Sequence, residues 1–200
     1  MSSTKVGPTI ASDIKDSAWK VTIIAFLAIF FYIFIRFRKW EYGLGALAAI
    51  CHDVFFVLAA FTLFHGILPF SLEIDQAFIA AILTIIGYSI NDTVVVFDRV
   101  RENLRKYKKK QLGEVLNLSI NETLSRTVMT SVTTLLALLA LYFLGGDVIR
   151  GFVFAMIWGV IVGTYSSVFV ASTILLWLGV KRDWSKPSTP TGNQFANIDS

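Results

Sequence analysis

Cysteine, charge and the short motifs of catalysis are all scarce in this sequence. One cysteine, Cys51, stands among 200 residues, so no disulfide can form within the chain, and one thiol does not indicate a redox compartment. Charged residues make up 16% of the chain, whereas a soluble domain carries roughly 25%. Walker-type phosphate loops and the GxSxG, HExxH and CxxC motifs are absent. We therefore expect neither an enzyme nor a cofactor or metal centre.

Long apolar runs dominate the sequence instead. Hydrophobic residues account for 55% of the chain, and its mean hydropathy is +0.66. Five stretches are long enough to cross about 30 Å of hydrocarbon, at about 19–35, 44–64, 77–97, 127–144 and 151–178. The sequence predicts an all-α multi-pass membrane protein. Its membrane domain would cover 19–178, between an extramembrane lead-in, 1–18, and a disordered cytoplasmic tail, 179–200.

The basic residues predict the orientation of the spans. They gather in the connections 36–42 and 98–125 and in the tail, whereas the connections 65–76 and 145–150 hold only Arg150. The positive-inside rule places the basic connections and the C-terminus in the cytoplasm and the N-terminus outside. The net charge of +4 is then a topology signal and no indication of nucleic-acid binding. The lead-in does not resemble a signal peptide, so we expect an upstream segment that would carry the N-terminus across the bilayer.

Two further patterns predict how the helices lie and pack. Gly159 and Gly163 form a GxxxG pattern in the fifth span, which is typical of a close contact between helices. In the cytoplasmic connection 98–125, apolar residues recur at helical spacing and predict an amphipathic helix along the interface: Leu112, Val115, Leu116, Ile120 and Leu124.

The third and fourth spans carry the polar residues that most need an explanation. Asn91 and Asp92 lie side by side within the third span, where a carboxylate costs several kcal/mol and typically serves transport or proton handling. Arg126 stands just ahead of the apolar run of the fourth span, at a depth similar to that of Asp92 because the two helices run antiparallel. We favour a pairing of Arg126 with Asp92. The alternative is an arginine that snorkels to the surface beside hydroxyls bonded to their own backbone.

Other polar residues leave their roles open. His52 and Asp53 lie near the centre of the second span. They are either satisfied structurally by neighbouring helices or serve with Asn91 as an accessory proton relay, and a metal site would need further ligands that the sequence does not offer. A charged group at the cytoplasmic end of the third span predicts an ion network at the membrane boundary: Asp98, Arg99, Arg101 and Glu102.

One long motif resembles a known family. The run GYSINDTVVVFDR, from Gly87 to Arg99, is similar to the SecF signature of the SecD/SecF family, which belongs to the resistance-nodulation-division superfamily. Val6-Gly7-Pro8, His52-Asp53 and Ser125-Arg126-Thr127 resemble the family too, and the resemblance covers about 6–183. It implies a resistance-nodulation-division-like bundle of five helices. A typical SecF also has one more N-terminal span and a periplasmic domain, so the resemblance implies that this sequence corresponds to the C-terminal membrane part of such a subunit, without those two elements.

The resemblance also implies a function. It implies a subunit that uses the proton motive force to assist protein translocation across the bacterial cytoplasmic (inner) membrane. Its partners would be SecD, the SecYEG channel, the translocating polypeptide and the lipid bilayer. Asp92 and Arg126 match the family's intramembrane Asp and Arg, which implies a proton-coupling pair. Two alternatives remain: a proton-coupled transporter subunit for small solutes on the same fold, and a structural membrane subunit in which Asp92 and Arg126 lock helix packing.

Overall fold

The structure is a computed structural model, and it describes residues 8–181, with side chains from residue 20 onward. It is helical along this whole range apart from short connections. The elements are α1 (Pro8–Phe37), α2 (Trp40–Phe64), α3 (Gln76–Lys106), α4 (Leu112–Leu144), α5 (Asp147–Tyr165), a π-helical turn (Ser166–Val170) and α6 (Ala171–Trp177). Since α5, the π-helical turn and α6 follow one another without a break, five helical rods result. All five are long and apolar enough to cross a membrane, which agrees with the predicted all-α bundle of five spans.

The helices extend past several of the predicted bounds. α1 begins at Pro8, where proline is well tolerated in a first helical turn. α3 continues to Lys106 and α4 begins at Leu112, so the amphipathic stretch predicted within 98–125 forms the start of the fourth long helix. Burial explains this continuity, because Val115 and Leu116 join the same apolar cluster as the spans. Residues 1–7 of the predicted lead-in and 182–200 of the predicted tail lie outside the described residues.

Two apolar clusters fill the bundle, one toward each end. At the end where α1 meets α2, Phe37 stacks on Tyr42 with ring centroids 4.8 Å apart, and Phe97 meets Tyr42 edge-on at 5.2 Å. The other cluster surrounds Ile85 and Phe61. On α3 and on the α5–α6 rod, a belt of buried polar residues separates the two clusters: Ser89, Asp92, Thr93, Ser166 and Ser167.

The GxxxG pattern lies where α5 crosses α3. A Cβ atom at Gly159 would overlap three side-chain atoms of Ile85, and one at Gly163 would lie 3.2 Å from the Cβ of Ser89. Glycine is therefore required for the backbones to approach this closely. The close approach brings α5 against the polar belt of α3.

Candidate functional site

Asp53 is the most thoroughly enclosed acid of the described region. Its side chain is 0% exposed, and its Oδ2 accepts a hydrogen bond of 2.6 Å from the Ser89 hydroxyl on α3. The Nδ1 of His52 lies 3.2 Å from Oδ1. Gly163 makes room for this carboxylate, since a Cβ there would come within 3.5 Å of Oδ2. Asp53 thus links α2 to α3 at a point that α5 covers.

The π-helical turn begins beside this carboxylate. Ser166 neighbours Asp53, and the Ser166 hydroxyl donates to the carbonyl of Gly163 at 3.2 Å. The next hydroxyl, of Ser167, donates to the carbonyl of Thr164 at 3.1 Å. A π turn inserts one residue into a helix and disturbs its regular hydrogen bonds. The two serine hydroxyls supply donors to carbonyls at this point, which stabilises the irregular turn inside the membrane span.

Asp92 is buried like Asp53 but has fewer partners. It is 4% exposed, and its Oδ2 has no hydrogen-bond partner within the described part of the chain. Its neighbour Asn91 is exposed on the outside of the bundle. A buried carboxylate without full hydrogen bonding is costly in its charged form. Asp92 is therefore an acid whose charge must be either neutralised by a proton or compensated by a nearby cation.

Arg126, on the neighbouring helix α4, is a cation close to Asp92. It lies close enough to act on Asp92 electrostatically, yet of the ion pairs formed by residues 20–181 none joins the two side chains. Asp92 follows Gln76 by sixteen residues and Arg126 precedes Leu144 by eighteen. At 1.5 Å per residue, these are depths of about 24 and 27 Å from the same end of the bundle. Counted along their helices, Asp92 and Arg126 thus lie at similar distances from the ends at Gln76 and Leu144, and no ion pair joins them.

Hydroxyl groups follow Arg126 along α4 and differ in their partners. Arg126 is exposed on α4, and the Thr133 hydroxyl beyond it bonds to carbonyls of its own helix, as expected beside a snorkelling arginine. Ser131, however, reaches across to Thr164 of α5 at 2.6 Å. Thr127, 0% exposed, holds a hydroxyl without a partner among the described residues.

The four predicted boundary residues divide between two separate contacts. Asp98 pairs with Arg36 of α1 at 2.8 Å, and Arg101 donates to the carbonyl of Arg36 at 3.3 Å. Arg99 binds Glu102 at 2.7 Å and, across to α4, Glu122 at 2.6 Å. The boundary residues thus tie α3 to α1 on one side and to α4 on the other.

Asn103 completes the contact between α3 and α4. It is 0% exposed, and its side-chain amide donates to Glu122 at 2.6 Å and to Ser119 at 3.0 Å. The role of Asn103 was not predicted. Its position four residues after Arg99 is the signal that was available, because both side chains lie on the same helical face.

Metal ligands do not cluster in this region. Within residues 20–181, no group of three or more His, Cys, Asp or Glu side chains could hold a metal ion. His52 and Asp53, the pair for which a metal was considered, bond to each other and to Ser89 instead.

Comparisons with known proteins all identify the same family. Residues 1–181 match the family described as protein export membrane protein SecD/SecF, C-terminal. The protein translocase subunit SecF of Cereibacter sphaeroides is 52% identical over 195 residues, which are 98% of this chain and 58% of the relative. The SecF subunit of Rhodothermus marinus is 57% identical over 173 residues, 86% of this chain and 56% of the relative. The chain thus spans less than two thirds of the curated relatives it matches.

Solved structures agree with the family. The crystal structure of SecDF from Thermus thermophilus, a translocon-associated membrane protein, aligns with a TM-score of 0.79 and 44% identity over 88% of this chain and 24% of that one. SecDF in a super-membrane-facing form aligns with a TM-score of 0.76 and 42% identity, covering 87% of this chain and 22% of that one. The protein is accordingly a multi-pass component of the bacterial inner membrane. It belongs to the SecD/SecF family of protein export membrane proteins and carries the family's C-terminal membrane region, in the form most similar to SecF.

Proposed function

We propose that this chain forms the membrane part of a SecF-type subunit that uses the proton motive force to assist protein translocation. In this proposal Asp92 carries the proton and Arg126 supplies the compensating positive charge. A helix movement that separates the two side chains lets Asp92 take up a proton, and a movement that joins them expels it. One charge moved across the membrane is worth about 2.3 kcal/mol per 100 mV, enough to bias a conformational cycle.

The observation that carries this proposal is the incomplete hydrogen bonding of Asp92. Its Oδ2 is buried and unpartnered among the described residues, while the cation at matching depth stands apart from it. A carboxylate already locked in an ion pair would need that pair broken before each protonation. Because Asp92 and Arg126 form no ion pair in this structure, we propose that a shift of α4 against α3 changes Asp92 between its protonated and its paired state.

Asp53 suits a structural role better than a relay role. Both of its oxygens have partners, from Ser89 and His52, and it lies at a junction of three helices. We propose that it holds α2, α3 and the π-helical turn in register, so that Asn91, Asp92 and the neighbouring helices keep their positions during proton transfer.

Orientation and partners belong to the same proposal. The basic connections next to Phe37 and Lys106 support a cytoplasmic location for that end of the bundle. Asn91 and Arg126 are exposed within the spans, and polar groups at that depth call for protein or water around them and not lipid. The SecDF chains that this chain resembles are much longer, since it covers 22% and 24% of them. This supports SecD as the partner that covers these residues, alongside SecYEG and the translocating polypeptide.

The test is Asp92→Asn in the full-length protein with its partner, in vesicles energised by a proton gradient. The assay records recovery of the complex and gradient-dependent completion of protein export. We expect normal recovery with loss of the gradient-dependent part, because asparagine keeps the shape of the side chain but cannot carry a proton. Arg126→Gln should impair the same step.

Glu102→Gln serves as the matched control, since it neutralises an acid on the same helix whose side chain is 61% exposed. This control should retain both assembly and export. Loss of assembly in Asp92→Asn would favour the structural-subunit alternative, in which Asp92 and Arg126 only lock packing. Unchanged export in Asp92→Asn would refute the proton-coupling role altogether.

A further inference from the structure

A small basic cavity opens where α1 meets α2, away from Asp92. Among the described residues, four cationic side chains and no acidic one line it, together with the aromatic rings of Phe37 and Tyr42: Lys39, Arg101, Arg105 and Lys181. The cavity measures about 20 Å³, room for one water-sized group. We call it the basic cavity.

The backbone around the basic cavity adds to its positive potential. Only Arg38 and Lys39 separate α1 from α2, and Arg38 takes a left-handed backbone conformation with φ 56°. This tight connection brings Lys39, the N-cap of α2, to the edge of the cavity. The Lys39 side chain provides no capping hydrogen bond to the first turn of α2. The start of a 25-residue helix, with its partial positive charge, therefore faces the same place as the cations.

The carboxylates of the described residues do not pair with these cations. Within residues 20–181, none of the ion pairs involves the four side chains that line the cavity. Lys39 donates to the carbonyl of Lys181, and Arg101 donates to the carbonyl of Arg36. Two acids of the described residues lie near Tyr42 in the lining: Asp98, which is already paired with Arg36 at 2.8 Å, and Glu41 in the first turn of α2.

The basic cavity lies at the level of the membrane surface. Trp40 and Trp177, which begin and end spans at this end of the bundle, are 50% and 77% exposed. Exposed tryptophans at the ends of spans are typical of the headgroup region. A ligand at this depth has its polar part among the cations and its apolar part beside the helices.

We propose that the basic cavity binds the phosphodiester headgroup of an anionic phospholipid of the phosphatidylglycerol type. One phosphate oxygen enters the cavity above Tyr42, and the remaining oxygens contact Arg101, Arg105 and the start of α2. A zwitterionic headgroup fits less well, because its own ammonium group would meet four cations. The bound lipid fixes the α1–α2 connection against the ends of α3 and α6.

A photoactivatable phosphatidylglycerol, with its reactive group in the headgroup, tests this proposal. The full chain, in its membrane complex, is reconstituted in bilayers that contain the probe and is irradiated, and labelled peptides are mapped. Labelling should concentrate on residues 36–42 and on the end of α3, and the matching phosphatidylcholine probe should label them much less. Arg105→Gln should reduce labelling about fivefold, as expected for one basic contact with a headgroup.

Lys109→Gln is the matched control, because it removes one positive charge from the same end of the protein outside the cavity lining. It should label like the original protein. If Arg105→Gln does not fold, Lys39→Gln provides the same comparison. An equal loss in Lys109→Gln, or equal labelling by both lipid probes, would overturn the proposal. Competition by millimolar inorganic phosphate as effective as that by unlabelled phosphatidylglycerol would assign the cavity to a soluble anion instead.

Discussion

Gly159 offers a sharp test of how α5 packs on α3. In Gly159→Ala, the added methyl group would overlap three side-chain atoms of Ile85, which is 1% exposed at the centre of an apolar cluster. Overpacking of this kind typically costs about 1–3 kcal/mol. Alanine is also more favourable in a helix than glycine by about 1 kcal/mol. The measured loss of stability in Gly159→Ala is therefore smaller than the cost of the overlap itself.

Gly87→Ala separates the two effects. Gly87 is a helical glycine of α3, and no neighbouring atom lies within 4 Å of the position that a Cβ atom would take there. Its substitution therefore gains the same helical preference without the overlap. We expect Gly159→Ala to be less stable than Gly87→Ala by about 1–3 kcal/mol. Reversible unfolding of the chain in mixed detergent micelles, titrated with sodium dodecyl sulfate, measures this difference.

Ile85→Ala completes the cycle because it removes all three overlapping atoms. Alone it should cost about 2–5 kcal/mol as a buried large-to-small change. Combined with Gly159→Ala it should cost less than the sum of the two, with a coupling of about 0.5–3 kcal/mol. Additive effects, or equal stability of Gly159→Ala and Gly87→Ala, would refute the close crossing of α5 over α3.

Two further substitutions test the polar contacts, in the same unfolding assay. Ser89→Ala removes the 2.6 Å hydrogen bond to buried Asp53 and should cost about 1.5–3 kcal/mol of stability. Its control is Thr84→Ala, which removes only a bond to its own helix and should cost much less. Equal losses of stability would count against the Asp53 junction. Asn103→Ala removes the donors to Ser119 and Glu122 and should cost about 1–3 kcal/mol. Asn121→Ala, which removes a bond within α4, is its control and should be nearly neutral.

The sequence is informative where the physical cause is local. Apolar runs long enough to span the bilayer predict the five rods, because the length and composition of each run are sufficient to identify it as a membrane span. Asp92 attracts attention for the same reason, since a carboxylate inside an apolar run is costly whatever surrounds it. The GxxxG pattern of Gly159 and Gly163 predicts a close contact, although it does not say that α3 is the partner.

Contacts between residues that are far apart in the sequence could not be predicted in this way. The bond between Ser89 and Asp53 joins residues 36 positions apart, and nothing in either helix alone identifies the other. The same holds for Asn103 and Glu122. The π-helical turn is harder still, because Ser166–Val170 continues an apolar helical pattern and the inserted residue shows only in the backbone.

The contrast between the two buried acids supports the proposal that the proton is carried by Asp92 and not by Asp53. Both carboxylate oxygens of Asp53 have hydrogen-bonding partners, and Asp53 lies at the junction of α2, α3 and the π-helical turn. A change in its charge would therefore disturb three helices at once. Asp92 lacks a partner on Oδ2 among the described residues, and its neighbouring cation is Arg126 of α4. A coupling acid needs two charge states of similar free energy, because the membrane potential supplies only a few kcal/mol per proton. The carboxylate with fewer hydrogen bonds, Asp92, is therefore the one proposed to carry the proton, and Asp53 is proposed to be part of the frame that holds the helices in place.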